Sequence, residues 1–273
     1  MTDLYKASLA AEQAAYAAGT HLQASRSRLS EVMITRQAPG EVVSAIDQEA
    51  RRLVREVVLR QFPQHGFITA GLGADPGAPR PDDRPHWIAS PLDGSANYQR
   101  GYPQYAVSIA LVEGGEPVLG VVYDPCRNEF FGAIHGRGAV LNGAPIRCAE
   151  PAPTRPAREP IEALAATVFP QPGSPRMAAY IAELGRVLRG FSGVRRSGST
   201  ALELAYLASG RIDAFWAHDI GAWDTAAAIV LLRESGALTI ARDGAPLLAS
   251  RSLLASTPDM LTPLISLLAP ELQ

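Results

Sequence analysis

The run His86-Trp87-Ile88-Ala89-Ser90-Pro91-Leu92-Asp93-Gly94-Ser95-Ala96-Asn97-Tyr98 decides how this chain reads. An apolar segment reaches a proline, then an Asp-Gly-Ser turn, then the start of a helix. Such a turn sets a carboxylate and a hydroxyl at the carboxyl end of a strand, beside the unpaired N–H groups of a helix N-terminus. That combination suits a phosphate and a divalent cation held together. The residue before Pro91 is Ser90, a poor cation ligand at a place where a second carboxylate would be useful. The turn points to phosphate chemistry and leaves open whether that chemistry still runs.

Outward from the turn, the chain divides into two halves. Residues 3–24 are rich in Ala, Leu and Gln with apolar positions at helical spacing, which predicts an amphipathic helix capped near Thr2 or Asp3. A second helix is predicted from Asp47, with Leu53, Val54, Val57 and Val58 as its buried stripe and Pro63 at its end. Residues 71–85 are dense in Gly, Pro and Asp and read as a loop. Beyond the turn, short apolar runs at 105–112, 117–123, 129–134 and 139–141 are separated by Gly-Gly, Asp-Pro, Gly-Arg-Gly and Asn-Gly. This pattern is that of an antiparallel meander.

Four prolines in residues 149–160 mark the boundary between a first half, 1–148, and a second, 149–273. The second half alternates, with strands predicted at 163–168, 193–196, 212–216, 238–240 and 252–255. Helices are predicted between them at 175–188, 199–208 and 223–234, and a last one from Pro258. The fold class is therefore α/β, with an α+β first half and an α/β second half joined as one unit.

At 273 residues and 47% hydrophobic, the chain can bury a substantial core. Its 25 basic and 27 acidic residues are interspersed and give a net charge of −2, so nothing favours nucleic acid or an anionic membrane. Cys126 and Cys148 lack metal-ligand spacing and fit a reducing compartment. No signal-like start and no run of 18 apolar residues occurs, so the expected location is the cytoplasm.

Four places could carry chemistry: Asp47, Asp93-Gly94-Ser95, Gly198-Ser199-Thr200 and Trp223-Asp224. Taken singly, each has a plain reading. Asp47 and Asp224 suit helix N-caps, Asp-Gly-Ser is a common tight turn, and capping explains Gly198-Ser199-Thr200 as well as anion binding does. Their order and spacing, together with Val121-Val122-Tyr123-Asp124-Pro125 and Gly136-Arg137-Gly138-Ala139-Val140-Leu141-Asn142-Gly143, carry more. The ensemble resembles the inositol monophosphatase family of Mg2+-dependent, lithium-sensitive phosphomonoesterases. The likeness runs from the first helix to about residue 256, and the stretch from Gly198 to Tyr206 resembles the bacterial branch.

The resemblance implies a layered αβαβα sandwich of the inositol monophosphatase and fructose-1,6-bisphosphatase type. It also implies a homodimer, and two or three Mg2+ ions between the halves of each chain. By the same likeness, Asp93 and Asp224 match carboxylates of the second metal. The Leu92 carbonyl and Ser95 hydroxyl match ligands of the first. Asp47 and Ser95 match the pair that orients the nucleophilic water, and the N–H groups of Gly94 and Ser95 match the phosphate cradle. Asp93, Gly198, Ser199 and Thr200 match positions that meet the substrate, a small phosphorylated metabolite.

Three departures stand against that pattern: Ala70 and Ala217 fall where the family has glutamates, and Ser90 where it has a bridging aspartate. Arg36, where the family often has Lys, is a milder change. With Ala70 and Ser90, the first metal keeps only a carbonyl and a hydroxyl. Mg2+ sheds its water reluctantly and needs anionic ligands to offset that loss. In two-metal phosphoryl chemistry the loss falls on the ion that generates the nucleophile. Asp75, Asp82, Asp83 and Asp219 read as solvated loop charges rather than replacements. Two readings follow: a phosphatase of inositol phosphate or a related monoester with impaired activity, or an inactive member that binds a ligand or regulates a partner.

Overall fold

Alanine builds the first layer. The computed structural model describes residues 2–26, 34–38, 41–69, 84–149 and 158–269, with 34–38 and 41–44 as backbone alone. Helix α1 (Leu4–Ser25) buries Ala7, Ala10, Ala11, Ala14, Ala15 and Ala18, and the Asp3 carboxylate caps it by accepting from the N–H groups of Tyr5 and Lys6. Small side chains let this helix lie close to α2 (Ala45–Gln61) and to the sheet beneath. At Gly19 a Cβ would stand 2.5 Å from the Tyr123 ring.

That sheet has seven strands in the order β3-β4-β5-β6-β7-β8-β9. They are β3 (Gly66–Thr69), β4 (His86–Asp93), β5 (Ala106–Glu113), β6 (Glu116–Asp124), β7 (Glu129–Ile134), β8 (Ala139–Leu141) and β9 (Ala144–Ile146). Only β3 and β4 pair in parallel; the others form the antiparallel meander. Every residue of β4 is buried, as expected for a strand covered on both faces.

Helices α5 (Thr200–Ala208) and α6 (Ala222–Ser235) form the middle layer. Gly120 of β6 admits α6 to near backbone contact, since a Cβ there would stand 2.2 Å from the Ala227 carbonyl oxygen. Beneath lies a five-stranded sheet, β11-β10-β12-β14-β13, comprising β10 (Leu164–Val168), β11 (Gly193–Arg195), β12 (Ala214–His218), β13 (Leu238–Ile240) and β14 (Ser252–Ser256). Helices α4 (Met177–Gly190) and α7 (Leu261–Leu268) cover its far side around Tyr180, Val187, Trp216 and Leu264. The layers are helix, sheet, helix, sheet, helix, as the resemblance implies.

The second helix begins at Ala45, two residues before the expected start, so Asp47 lies in its first turn rather than ahead of it. The meander runs one strand further than expected, through β9. The four-residue β3 and the hairpin of β1 (Ile34–Ala38) with β2 (Glu41–Ser44) are additions to the expected elements, although Pro39-Gly40 stands between the two hairpin strands. Short strands carry too few residues for period-two alternation to register. No helix among the described residues is long and apolar enough to cross a membrane.

Candidate active site

Strand β4 pairs with β5 as far as Ser90 opposite Ser108, and the register shifts between Ser90 and Asp93. Pro91 lies in that interval and has no N–H to give the ladder. Gly94 follows at φ +88°, a conformation that side chains resist, and a Cβ there would stand 2.8 Å from the Gln104 carbonyl oxygen. The next residue, Ser95, opens the short helix α3 (Ser95–Gln99) and is half-buried. The Leu92 side chain is buried in the core beneath α1 and α2, so only its backbone could serve a ligand.

Asn97 of α3 ties this turn to the second half of the chain. Its Nδ2 donates to the carbonyl oxygens of Gln104 at 2.7 Å and Ser197 at 2.8 Å. Gly198, at φ +89°, makes room: a Cβ there would stand 2.8 Å from Asn97 Nδ2. Ser197, Gly198 and Ser199 form the turn from β11 into α5, and the Ser199 hydroxyl caps that helix.

The start of α5 captures Asp93. One carboxylate oxygen accepts from the Ala201 N–H at 3.0 Å and from the Ser199 hydroxyl, and the Thr200 N–H also supports the group. A carboxylate at a helix N-terminus is stabilised in its charged form. Burial outweighs this and pushes the Asp93 pKa up to about 6. Glu203, one turn along α5, is buried too and accepts from the Ser197 N–H. Burial, reinforced by the charge of Asp93, pushes Glu203 up to about 7, against the Ser197 hydrogen bonds and Arg196, which lower it.

The other expected residues have local partners of their own. Asp47 is buried and paired with Arg51 at 2.9 Å. Asp224 accepts from the Gly221 N–H at 2.9 Å across the first turn of α6, while the Trp223 ring packs over Gly221. Ala217 is fully buried in β12, its Cα opposite Val168 on one side and Leu253 on the other, and offers no acceptor. Ser90 is buried in β4. Asp219 accepts from the Ser174 hydroxyl at 2.9 Å. Ala70, Asp75, Asp82 and Asp83 lie outside the described residues, and Arg36 is described as backbone only.

The structure thus brings Asp93, Gly94 and the Gly198–Thr200 turn together, and adds Asn97 and Glu203, which sequence reasoning missed. The signal for Glu203 was available: it is the one acid within the run from Ala201 to Ala208. A metal centre is a different matter. Among the described residues, no three His, Cys, Asp or Glu side chains gather in a group able to hold a metal ion. Ser90 contributes no charge, and Asp93 is engaged by α5. Among the described residues, these donors do not make up a centre of two or three Mg2+ ions, which demand near-octahedral oxygen ligation with anionic character.

The family model described as "Inositol monophosphatase family" matches residues 3–272. The chain belongs to the inositol monophosphatase family. It is 36% identical to the inositol-1-monophosphatase of Rhizobium meliloti over 85% of this chain and 84% of that protein. It is also 36% identical to the Nus factor SuhB of Xylella fastidiosa, over 82% and 78%. The crystal structure of the extragenic suppressor protein suhB from Bartonella henselae superposes with a TM-score of 0.87 at 29% identity, covering 99% of this chain and all of that one. The family is in general Mg2+-dependent.

Proposed function

We propose that this inositol monophosphatase family member binds a small phosphate monoester between the Gly94–Ser95 turn and the Gly198–Thr200 turn, and hydrolyses it weakly. The binding half of the reading is supported by the Asp93-Gly94-Ser95 turn, whose glycine at φ +88° leads into α3, and by the Gly198–Thr200 turn, from which the Ser199 hydroxyl and the start of α5 reach Asp93. The weak turnover is supported by two points: Ser90, where the family likeness implies a bridging carboxylate, is buried in β4, and no three-ligand group forms among the described residues. In this reading Asp47 and Ser95 orient the attacking water, Asp93 and the Gly198–Thr200 turn meet the ester, and Asp224 retains the place of a metal carboxylate. The family likeness further supports a homodimer in the cytoplasm.

A second reading is a member without turnover that serves as a binding or regulatory protein. It is supported by relatives named Nus factor SuhB, at 36% identity for the Xylella protein.

The test is phosphate release from inositol 1-phosphate, glycerol 2-phosphate, fructose 1,6-bisphosphate and 3′-phosphoadenosine 5′-phosphate, with and without millimolar Mg2+. Calorimetric titration of the same esters runs in parallel, and Asp93→Asn serves as the contamination control. The expected result is binding of at least one ester, with turnover roughly a hundredfold or more below that of the Rhizobium relative assayed alongside. Binding with no turnover above Asp93→Asn selects the second reading. Turnover equal to the relative's, or no binding of any ester, overturns the proposal.

A further inference from the structure

The two cysteines of the chain pack in the cores on opposite faces of the seven-stranded sheet, and both are free. Cys148 is buried in the core that the sheet shares with α5 and α6, and burial pushes its thiol up to about 11. It is therefore held as the unreactive thiol. Cys126 sits in the turn between β6 and β7, packs against the core beneath α1, and is only half-buried. Neither belongs to the candidate site.

The turn holds Cys126 in place. Its N–H donates to the Asp124 carboxylate at 2.8 Å, and the Pro125 carbonyl before it accepts from Gln23 Nε2 at 2.6 Å. The Arg127 guanidinium, 2.8 Å from the same carboxylate, interacts with the charge of a Cys126 thiolate. Tyr105 closes the inner side. It is fully buried, its hydroxyl has no hydrogen-bond partner among the described residues, and that hydroxyl is directed at the Cys126 thiol. Sulfur is a weak acceptor. A buried hydroxyl without an acceptor is a standing cost, which one oxygen added at the Cys126 sulfur would relieve. Tyr105 also touches the Asp93-Gly94-Ser95 turn. A Cβ at Gly94 would stand 3.2 Å from its Cα, and its ring meets that of Tyr98 in α3 edge-on at 4.9 Å and 87°.

We propose that Cys126 is a redox modification site, oxidised by a peroxide to a sulfenic acid whose oxygen the Tyr105 hydroxyl holds. The sulfur, as thiolate, attacks one peroxide oxygen. The S–O bond forms as the O–O bond breaks, and two electrons pass from sulfur to the peroxide. The displaced hydroxide takes the proton that the thiol gave up and leaves as water. An oxygen bonded to the sulfur presses toward Tyr105, and through that residue on the Gly94 turn and Tyr98 of α3. Cys126 thereby makes the turn sensitive to oxidant without taking part in it.

The experiment exposes the full chain to a pulse of hydrogen peroxide, removes the peroxide with catalase, and adds dimedone after increasing delays. Peptide mass spectrometry then reads the surviving sulfenic acid at each cysteine. Cys126 should carry the adduct and Cys148 should not. Tyr105→Phe keeps the ring and loses the hydroxyl, so it should shorten the lifetime of the sulfenic acid by roughly threefold or more, the worth of one hydrogen bond. Hydrogen exchange reads the effect on the turn: oxidation should speed the amides of residues 94–98 by about threefold or more in the wild type and leave them unchanged in Cys126→Ser. The comparison of the two cysteines needs no variant, so a folding defect in Tyr105→Phe would not rescue a failed proposal. Absence of the adduct at Cys126, or equal labelling of Cys148, refutes the site. Equal lifetimes with and without the Tyr105 hydroxyl, or exchange at 94–98 that ignores oxidation, overturns the arrangement proposed around it.

Discussion

Asp93 and Glu203 are two carboxyl groups that the fold keeps from charging freely. Burial raises Asp93 from 3.8 to about 6 and Glu203 from 4.5 to about 7. The folded chain therefore holds protons that the unfolded chain has already released over the same interval. Their protonation favours the fold fully below about pH 4, and that contribution is lost as pH rises to about 7. Glu203→Gln removes one titration while its amide oxygen can still accept from the Ser197 N–H. Urea denaturation should show this variant more stable than the wild type at pH 8, by up to about 3 kcal/mol, with the gap closing toward pH 4.5. Parallel curves at the two pH values would contradict the assigned burial effect.

At the scale of elements, close approach of backbones does the positioning. The chain needs glycine at 94 and 198 because both have positive φ and both face atoms at about van der Waals contact or closer. Gly120 has an ordinary φ but a different constraint, the Ala227 carbonyl of α6 directly above it. Gly120→Ala should push α6 off the seven-stranded sheet and cost about 3 kcal/mol, the upper part of the range for overpacking. Thermal or urea unfolding measures it, and a loss below about 0.5 kcal/mol would mean that α6 shifts without resistance. Turn chemistry of this kind was legible: the runs at 129–134, 139–141 and 238–240 emerge as strands with the same bounds, because Gly-Arg-Gly, Asn-Gly and Ser-Gly-Ala punctuate them. Strand β3 and the β1–β2 hairpin were not read, although Pro39-Gly40 punctuates the hairpin in the same way.

Across the whole molecule, the two halves share their central features. Asp93 of the first half is hydrogen-bonded by α5 of the second, and one core joins β4, β5, β6 and β7 to α5, α6, β12 and β14. Separate unfolding of the halves would expose that core and strip Asp93 of its donors. A single cooperative transition is expected, with far-UV and near-UV circular dichroism coinciding in midpoint. Two resolved transitions would show that residues 1–148 and 149–273 are independent domains.

The sequence by itself determined the alternation of helices and strands and the place of the Asp93-Gly94-Ser95 turn, because helix periods and tight turns depend on neighbours along the chain, and the resemblance its motifs carry implied the family and the layered architecture. The resemblance also implied departures at Ala70, Ser90 and Ala217, a reading of residue identity. Only the tertiary structure decided that Asp93 is held by a helix 108 residues away, and that Glu203 is driven toward its neutral form. It alone set Tyr105 beside both Cys126 and Gly94. Burial, charge and stacking are properties of whatever packs across the gap between layers, and no local pattern encodes that partner.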